Sequence, residues 1–146
     1  MKKLTFKIDI GASRKKVWDT MLNPVTFKEW ANAGWPGAYF EGNWKQGEKI
    51  RFLSPGRGGT LAMLVEEKPY EFILAKHIAV IDSNGSEDRN SDEARNWIGT
   101  TEAYTFIEKN GKSRLQVEMS TAPEWEKMAT DGWPKALAKL KEICEN

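Results

Sequence analysis

The sequence of 146 residues predicts an α+β fold, a curved antiparallel sheet of seven strands with its helices gathered on one side and a long C-terminal helix. Three observations carry this. Short period-two segments recur between turn residues, two short helical segments follow the first strand, and apolar side chains from Pro123 onward keep 3.6-residue spacing. A chain of this length forms one domain across residues 1–146, burying about 70% of its unfolded surface.

Leu4, Phe6, Ile8 and Ile10 alternate with Thr5, Lys7 and Asp9, so the first element is a strand with one wet face. Gly11-Ala12 breaks it. Ser13 is then placed to cap a short helix carrying Val17, Trp18, Met21 and Leu22, which Asn23-Pro24 stops. Pro24 opens a second helix whose Phe27, Trp30 and Ala31 share a face, ended by Gly34, Pro36 and Gly37.

Four strands follow as a meander, over residues 38–44, 48–53, 59–67 and 70–81. Residues 82–96 are polar, carry five acidic side chains and read as a mobile flap. Strands at 100–108 and 113–119 flank Asn110-Gly111, a tight-hairpin signal, and are expected to pair. The final helix carries Trp125, Met128, Ala129, Trp133, Ala136, Leu137, Leu140, Ile143 and Cys144 on one face. Pro134 is expected to kink or restart it, because proline lacks the backbone donor and its ring crowds the preceding turn.

Composition removes several function classes. The 22 basic and 21 acidic side chains are interspersed, which argues against nucleic acid or an anionic membrane surface as partner. Apolar runs such as those at 72–75 and 78–81 fall far short of the roughly 20 residues of a membrane span. The start of the chain lacks the continuous apolar core of a secretory signal, and Cys144 is the only cysteine, so a reducing cytoplasm is the expected location. No Cys/His cluster has metal-ligand spacing, and neither metal nor cofactor is expected. With one His and one Cys, no Ser-His-Asp triad or Cys-His pair is recognisable either.

Seven tryptophans, at positions 18, 30, 35, 44, 97, 125 and 133, require a core or a cavity wall. Trp30, Trp44, Phe52, Tyr104, Met128 and Trp133 offer wide apolar faces with a few polar tips, the lining of a small-molecule pocket or of an ordinary core. Met63, Met119 and Met128 are adaptable fillers suited to either. Alternation places Ile73, Ala75, His77, Ala79 and Ile81 on one face, and Glu102, Tyr104 and Phe106 on one face of the next long strand. If those faces coincide, His77 meets Glu102 inside the pocket, where the pair can bind a polar head or move a proton. The alternative is a buried histidine satisfied by Glu102, Tyr104 or backbone that only fixes strand register. Residues 54–59, rich in glycine, lead into a strand rather than a helix and read as a hairpin turn, not a phosphate cradle.

Several of these segments together resemble one family: residues 13–18, Trp30, Gly42-Asn43-Trp44, Gly47, Ile50-Arg51-Phe52, Lys76-His77, 102–106 and 133–137. It is the activator of heat-shock-protein ATPase homologue-like branch of the SRPBCC superfamily, whose wider relatives include START and birch-pollen-allergen-like domains. The resemblance implies a START-like, helix-grip fold, with a seven-stranded sheet wrapped around the C-terminal helix and two short helices closing one end of a cavity.

Three functions are then in view. The first is binding of a small hydrophobic molecule, lipid-like or aromatic, with residues 82–96 and the Trp35-Pro36-Gly37 loop as gates. The second, implied by superfamily relatives, is a cyclase- or aromatase-like enzyme using His77, Glu102 and Tyr104. The third is a protein-interaction module with a chaperone or stress-response partner.

Overall fold

The computed structural model describes residues 2–146. Strand β1 (Lys2–Ile10) leads into helix α1 (Arg14–Leu22) and helix α2 (Pro24–Gly34). Both helices begin where the sequence supplies a cap: Ser13 Oγ accepts from the Lys16 N–H at 3.2 Å, and Asn23 Oδ1 accepts from the Val25 N–H at 2.8 Å.

Strands β2 (Tyr39–Gly42), β3 (Lys49–Ser54), β4 (Gly58–Lys68) and β5 (Phe72–Ile81) form the antiparallel meander. Strands β7 (Thr101–Lys109) and β8 (Lys112–Thr121) pair through an Asn110-Gly111 turn, whose φ values of 56° and 78° are the left-handed conformations a two-residue hairpin requires. The sheet runs β1-β8-β7-β5-β4-β3-β2, and an eighth strand of two residues, β6 (Glu87–Asp88), pairs with β5 off this path. Seven strands form the continuous path, with β6 a minor addition.

Segment 82–96 is not a bare flap. Ser91 caps a short helix α3 (Asp92–Trp97), Asp92 and Glu93 occupy its first turn, and Ala94 and Trp97 are buried against Val80. The packing of those two side chains anchors the excursion.

After a 3-10 turn at Pro123–Trp125, helix α4 (Glu126–Glu145) runs without a break through Pro134. Proline removes one intrahelical donor, and the buried side chains on either side of it, Trp133, Ala136, Leu137 and Leu140, hold the helix across the gap.

Two glycines set how closely α2 approaches α4. A Cβ at Gly34 would lie 2.4 Å from the Gly132 carbonyl oxygen, and one at Gly132 would lie 2.5 Å from the Trp35 indole. Trp35 therefore packs directly against the α4 backbone at Gly132, its Nε1 donating to the Met128 carbonyl at 3.3 Å. In Gly132→Ala the helix-propensity gain of about 1 kcal/mol opposes an overpacking cost of about 1–3 kcal/mol. Denaturant unfolding is expected to show a net loss of stability; a net gain would contradict this packing.

Candidate functional site

Register brings His77 to Glu102. On the β5 and β7 pair, Ala75 sits opposite Glu102, so His77, two residues along the same face, is its diagonal neighbour. The imidazole Nε2 lies 3.2 Å from Glu102 Oε1, and the Tyr104 hydroxyl donates to Oε2. Both carboxylate oxygens thus have partners.

Beyond His77 the alternation changes phase. The β4 and β5 register shifts between Leu61 and Ala62, where Ala79 and His77 are the partners and Ile78 is the extra residue. Ala79 and Ile81 therefore join Leu61 in a separate cluster, instead of continuing the His77 face as simple alternation predicts. Val80 takes the place they would have held and packs on Trp97. The His77 backbone leaves β7 as well, donating to Thr100 O and accepting from Gly99 N–H, both at 2.9 Å. The chain after α3 is held there, which sets the Trp97 ring 5.2 Å from the imidazole, edge to face.

Between this end of the sheet, α2, the 3-10 turn and α4 lies a cavity of about 220 Å³. Trp30, Phe52, Tyr104, Met119 and Trp133 supply its apolar wall, while His77, Glu102, Trp97 and Trp125 form its polar end. Met128, 46% exposed, stands where the lining meets solvent, together with Trp35. Rings interlock around the wall: Trp133 stacks on Trp30 at 6.0 Å and meets the edge of Trp35 at 5.1 Å.

Eight of the ten residues singled out in the sequence border this cavity: Trp30, Phe52, His77, Glu102, Tyr104, Met119, Met128 and Trp133. Trp44 stands behind its wall, packed on Phe52 at 5.7 Å and on Tyr104 at 6.5 Å, and faces a separate groove beside Trp18 and Tyr70. Met63 is away from the lining. On β4 it alternates with Ala62 and Leu64, which enter the main core, so its side chain takes the opposite face, between Lys49 and Lys76. Trp97 and Trp125 line the cavity without having been singled out. The signal for Trp97 was in the sequence: Ser91 as cap, two acidic residues in the first turn, and Ala94 and Trp97 one turn apart.

The electrostatics follow from burial. His77 is 2% exposed and the Glu102 side chain 14%. Burial pushes the Glu102 carboxyl up, but the His77 hydrogen bond and charge and the Tyr104 hydrogen bond outweigh it, leaving the group below its ordinary value. Burial, then the charge and hydrogen bond of Glu102, drive the Tyr104 phenol well above its ordinary 10. His77 Nδ1 and Trp125 Nε1 are buried with no hydrogen-bond partner among the described residues, as is Trp44 Nε1. Among the described residues no group of three or more His, Cys, Asp or Glu side chains is placed to hold a metal ion.

These shifts fix a pH dependence. A carboxyl whose folded value is depressed stabilises fully above its unfolded pKa, about 4.3, and that contribution is lost as pH falls through the folded value. A phenol whose folded value is raised contributes fully below about pH 10 and loses that contribution as pH rises beyond it. Urea midpoints measured across pH are expected to show a flatter acid limb in Glu102→Gln and a flatter alkaline limb in Tyr104→Phe. Limbs identical to the wild type would contradict the assignment.

The model of the family described as activator of Hsp90 ATPase homolog 1-like protein matches residues 11–145. The solution structure of the Aha1 dimer from Colwellia psychrerythraea is similar, with TM-score 0.73 and 20% identity, covering 99% of this chain and 97% of that one. Protein MLL2253 from Mesorhizobium loti has TM-score 0.73 and 14% identity, with 97% and 96% covered. Protein CV1439 from Chromobacterium violaceum has TM-score 0.70 and 16% identity, with 99% and 97% covered. At these identities the likeness is one of fold, the START-like helix grip. No curated protein matches the chain. No helix among the described residues is long and apolar enough to cross a membrane.

Proposed function

We propose that this chain, which belongs to the activator of Hsp90 ATPase homolog 1-like family of the SRPBCC superfamily, binds a small, largely hydrophobic molecule between its sheet and α4. The observation that carries this reading is the cavity, walled by Trp30, Phe52, Tyr104, Met119 and Trp133 and reaching solvent at Met128. An apolar cavity of about 150 Å³ accommodates benzene. By that measure about 220 Å³ suits a molecule the size of two fused rings, below the range of drug-sized ligands. Residues 1–146 act as one domain in this reading, in the reducing cytoplasm that the single Cys144 suits.

A thermal-shift screen of one- and two-ring aromatics tests it. At a concentration near 100 times Kd, a ligand bound only by the folded state raises Tm by about 5–10 °C for a chain of this size. A screen in which no such compound moves Tm, while bulky sterols or long-chain lipids do, would contradict the size argument.

One observation favours a second reading, an enzyme: His77, Glu102 and Tyr104 form a hydrogen-bonded network on the cavity wall. It requires turnover of a bound compound that disappears in His77→Ala.

A further inference from the structure

The polar end of the cavity carries information about the ligand that its apolar wall does not. Glu102 accepts at both oxygens, Oε2 from the Tyr104 hydroxyl and Oε1 opposite His77 Nε2 at 3.2 Å. An ionised carboxylate only accepts, so Nε2 carries a proton in either charge state of the ring. In the neutral ring this leaves Nδ1 as a lone-pair acceptor.

That acceptor is unpartnered on a side chain only 2% exposed, in a residue that lines the cavity. The same end holds an unpartnered donor, the Trp125 indole N–H. The two belong to one run of rings, with His77 5.2 Å from Trp97 and Trp97 6.2 Å from Trp125. Buried polar groups are nearly always satisfied, and two unmet groups on residues that line one apolar cavity point to a ligand with polar atoms of its own.

Resting on the binding function proposed above, we infer that the ligand is a neutral hydroxylated aromatic, of about two rings, whose hydroxyl enters the His77 end of the cavity. The hydroxyl donates to His77 Nδ1, and its oxygen or a neighbouring one accepts from Trp125 Nε1. Glu102 acts through His77 as a positioning residue, fixing the tautomer that presents an acceptor. It also sets the charge of the head group, because its negative charge disfavours a carboxylate beside it.

Calorimetric titration of the intact protein with naphthalene, 2-methoxynaphthalene, 2-naphthol and 2-naphthoate tests this. 2-Naphthol is expected to bind about tenfold tighter than naphthalene and 2-methoxynaphthalene, the worth of one buried hydrogen bond. In Trp125→Phe, which removes a donor that has no protein partner to lose, the ratio of 2-naphthol to naphthalene affinity falls, whatever the smaller ring does to both. In His77→Phe it disappears. Should that variant fail to fold, the four-ligand comparison on the wild type and Trp125→Phe still decides.

Equal affinities for 2-naphthol and naphthalene would overturn the hydroxyl assignment and leave the binding function standing. Tightest binding of 2-naphthoate would overturn the neutral head group, since it would mean that His77 presents a cation. Binding of none of the four would overturn both.

Discussion

Trp133→Ala is expected to destabilise the protein by about 3–5 kcal/mol, the cost of deleting a large buried aromatic whose surroundings cannot collapse into the void. Trp133 is 5% exposed and sits at the junction of four rings: Phe6 of β1, Trp30 of α2, Trp35 at the end of α2, and Tyr104 of β7. It joins α4 to both the sheet and α2, so its loss loosens the helix from each. Guanidinium unfolding should show the midpoint falling well below the wild type, with Trp133→Phe intermediate. A change under about 1 kcal/mol would mean that α4 is held mainly elsewhere.

Glu102→Ala is expected to cost about 3 kcal/mol or more, because it strands two buried groups rather than one. The imidazole of His77 and the hydroxyl of Tyr104 both lose their partner. Glu102→Gln, which keeps shape and one acceptor, should lose less. The informative comparison is a double-mutant cycle of Glu102→Ala and His77→Phe. If the two side chains serve each other, the double variant recovers part of the loss, and strict additivity would show that they do not.

The pattern of elements was legible because each is built from local signals. The cap at Ser13, the helix start at Pro24, the Asn110-Gly111 turn and the apolar stripe of α4 from Ala129 to Cys144 concern residues a few positions apart, and each formed as expected. The meeting of His77 and Glu102 was legible for a different reason: alternation fixed the face of each strand, and only the register joining them was open. Residue type marks a candidate lining side chain but not the face it takes, and Met63 shows the difference. Its apolar side chain says nothing about which face of β4 it takes, and the neighbours Ala62 and Leu64 decide that.

What stayed hidden depends on irregular backbone. The extra residue at Ile78 reverses the alternation of β5, and no single residue in the run from Ile78 to Ile81 marks a bulge. The polar composition of 82–96 concealed a single turn of helix whose Trp97 completes the cavity. Pro134 indicated a break in α4 that burial on both sides overrides. Trp125 lies in the 3-10 turn, where helical spacing no longer tells which way a side chain faces.

The cavity can be addressed directly through the methionines. Met119 and Met128 line it, whereas Met63 lies on the other face of β4 and Met21 on α1. With methyl-labelled methionine, titration of naphthalene should shift the Met119 and Met128 resonances in proportion to saturation and leave Met63 in place. Shifts led by Met63, or saturating binding that leaves Met119 unmoved, would show that the ligand sits somewhere other than between the sheet and α4.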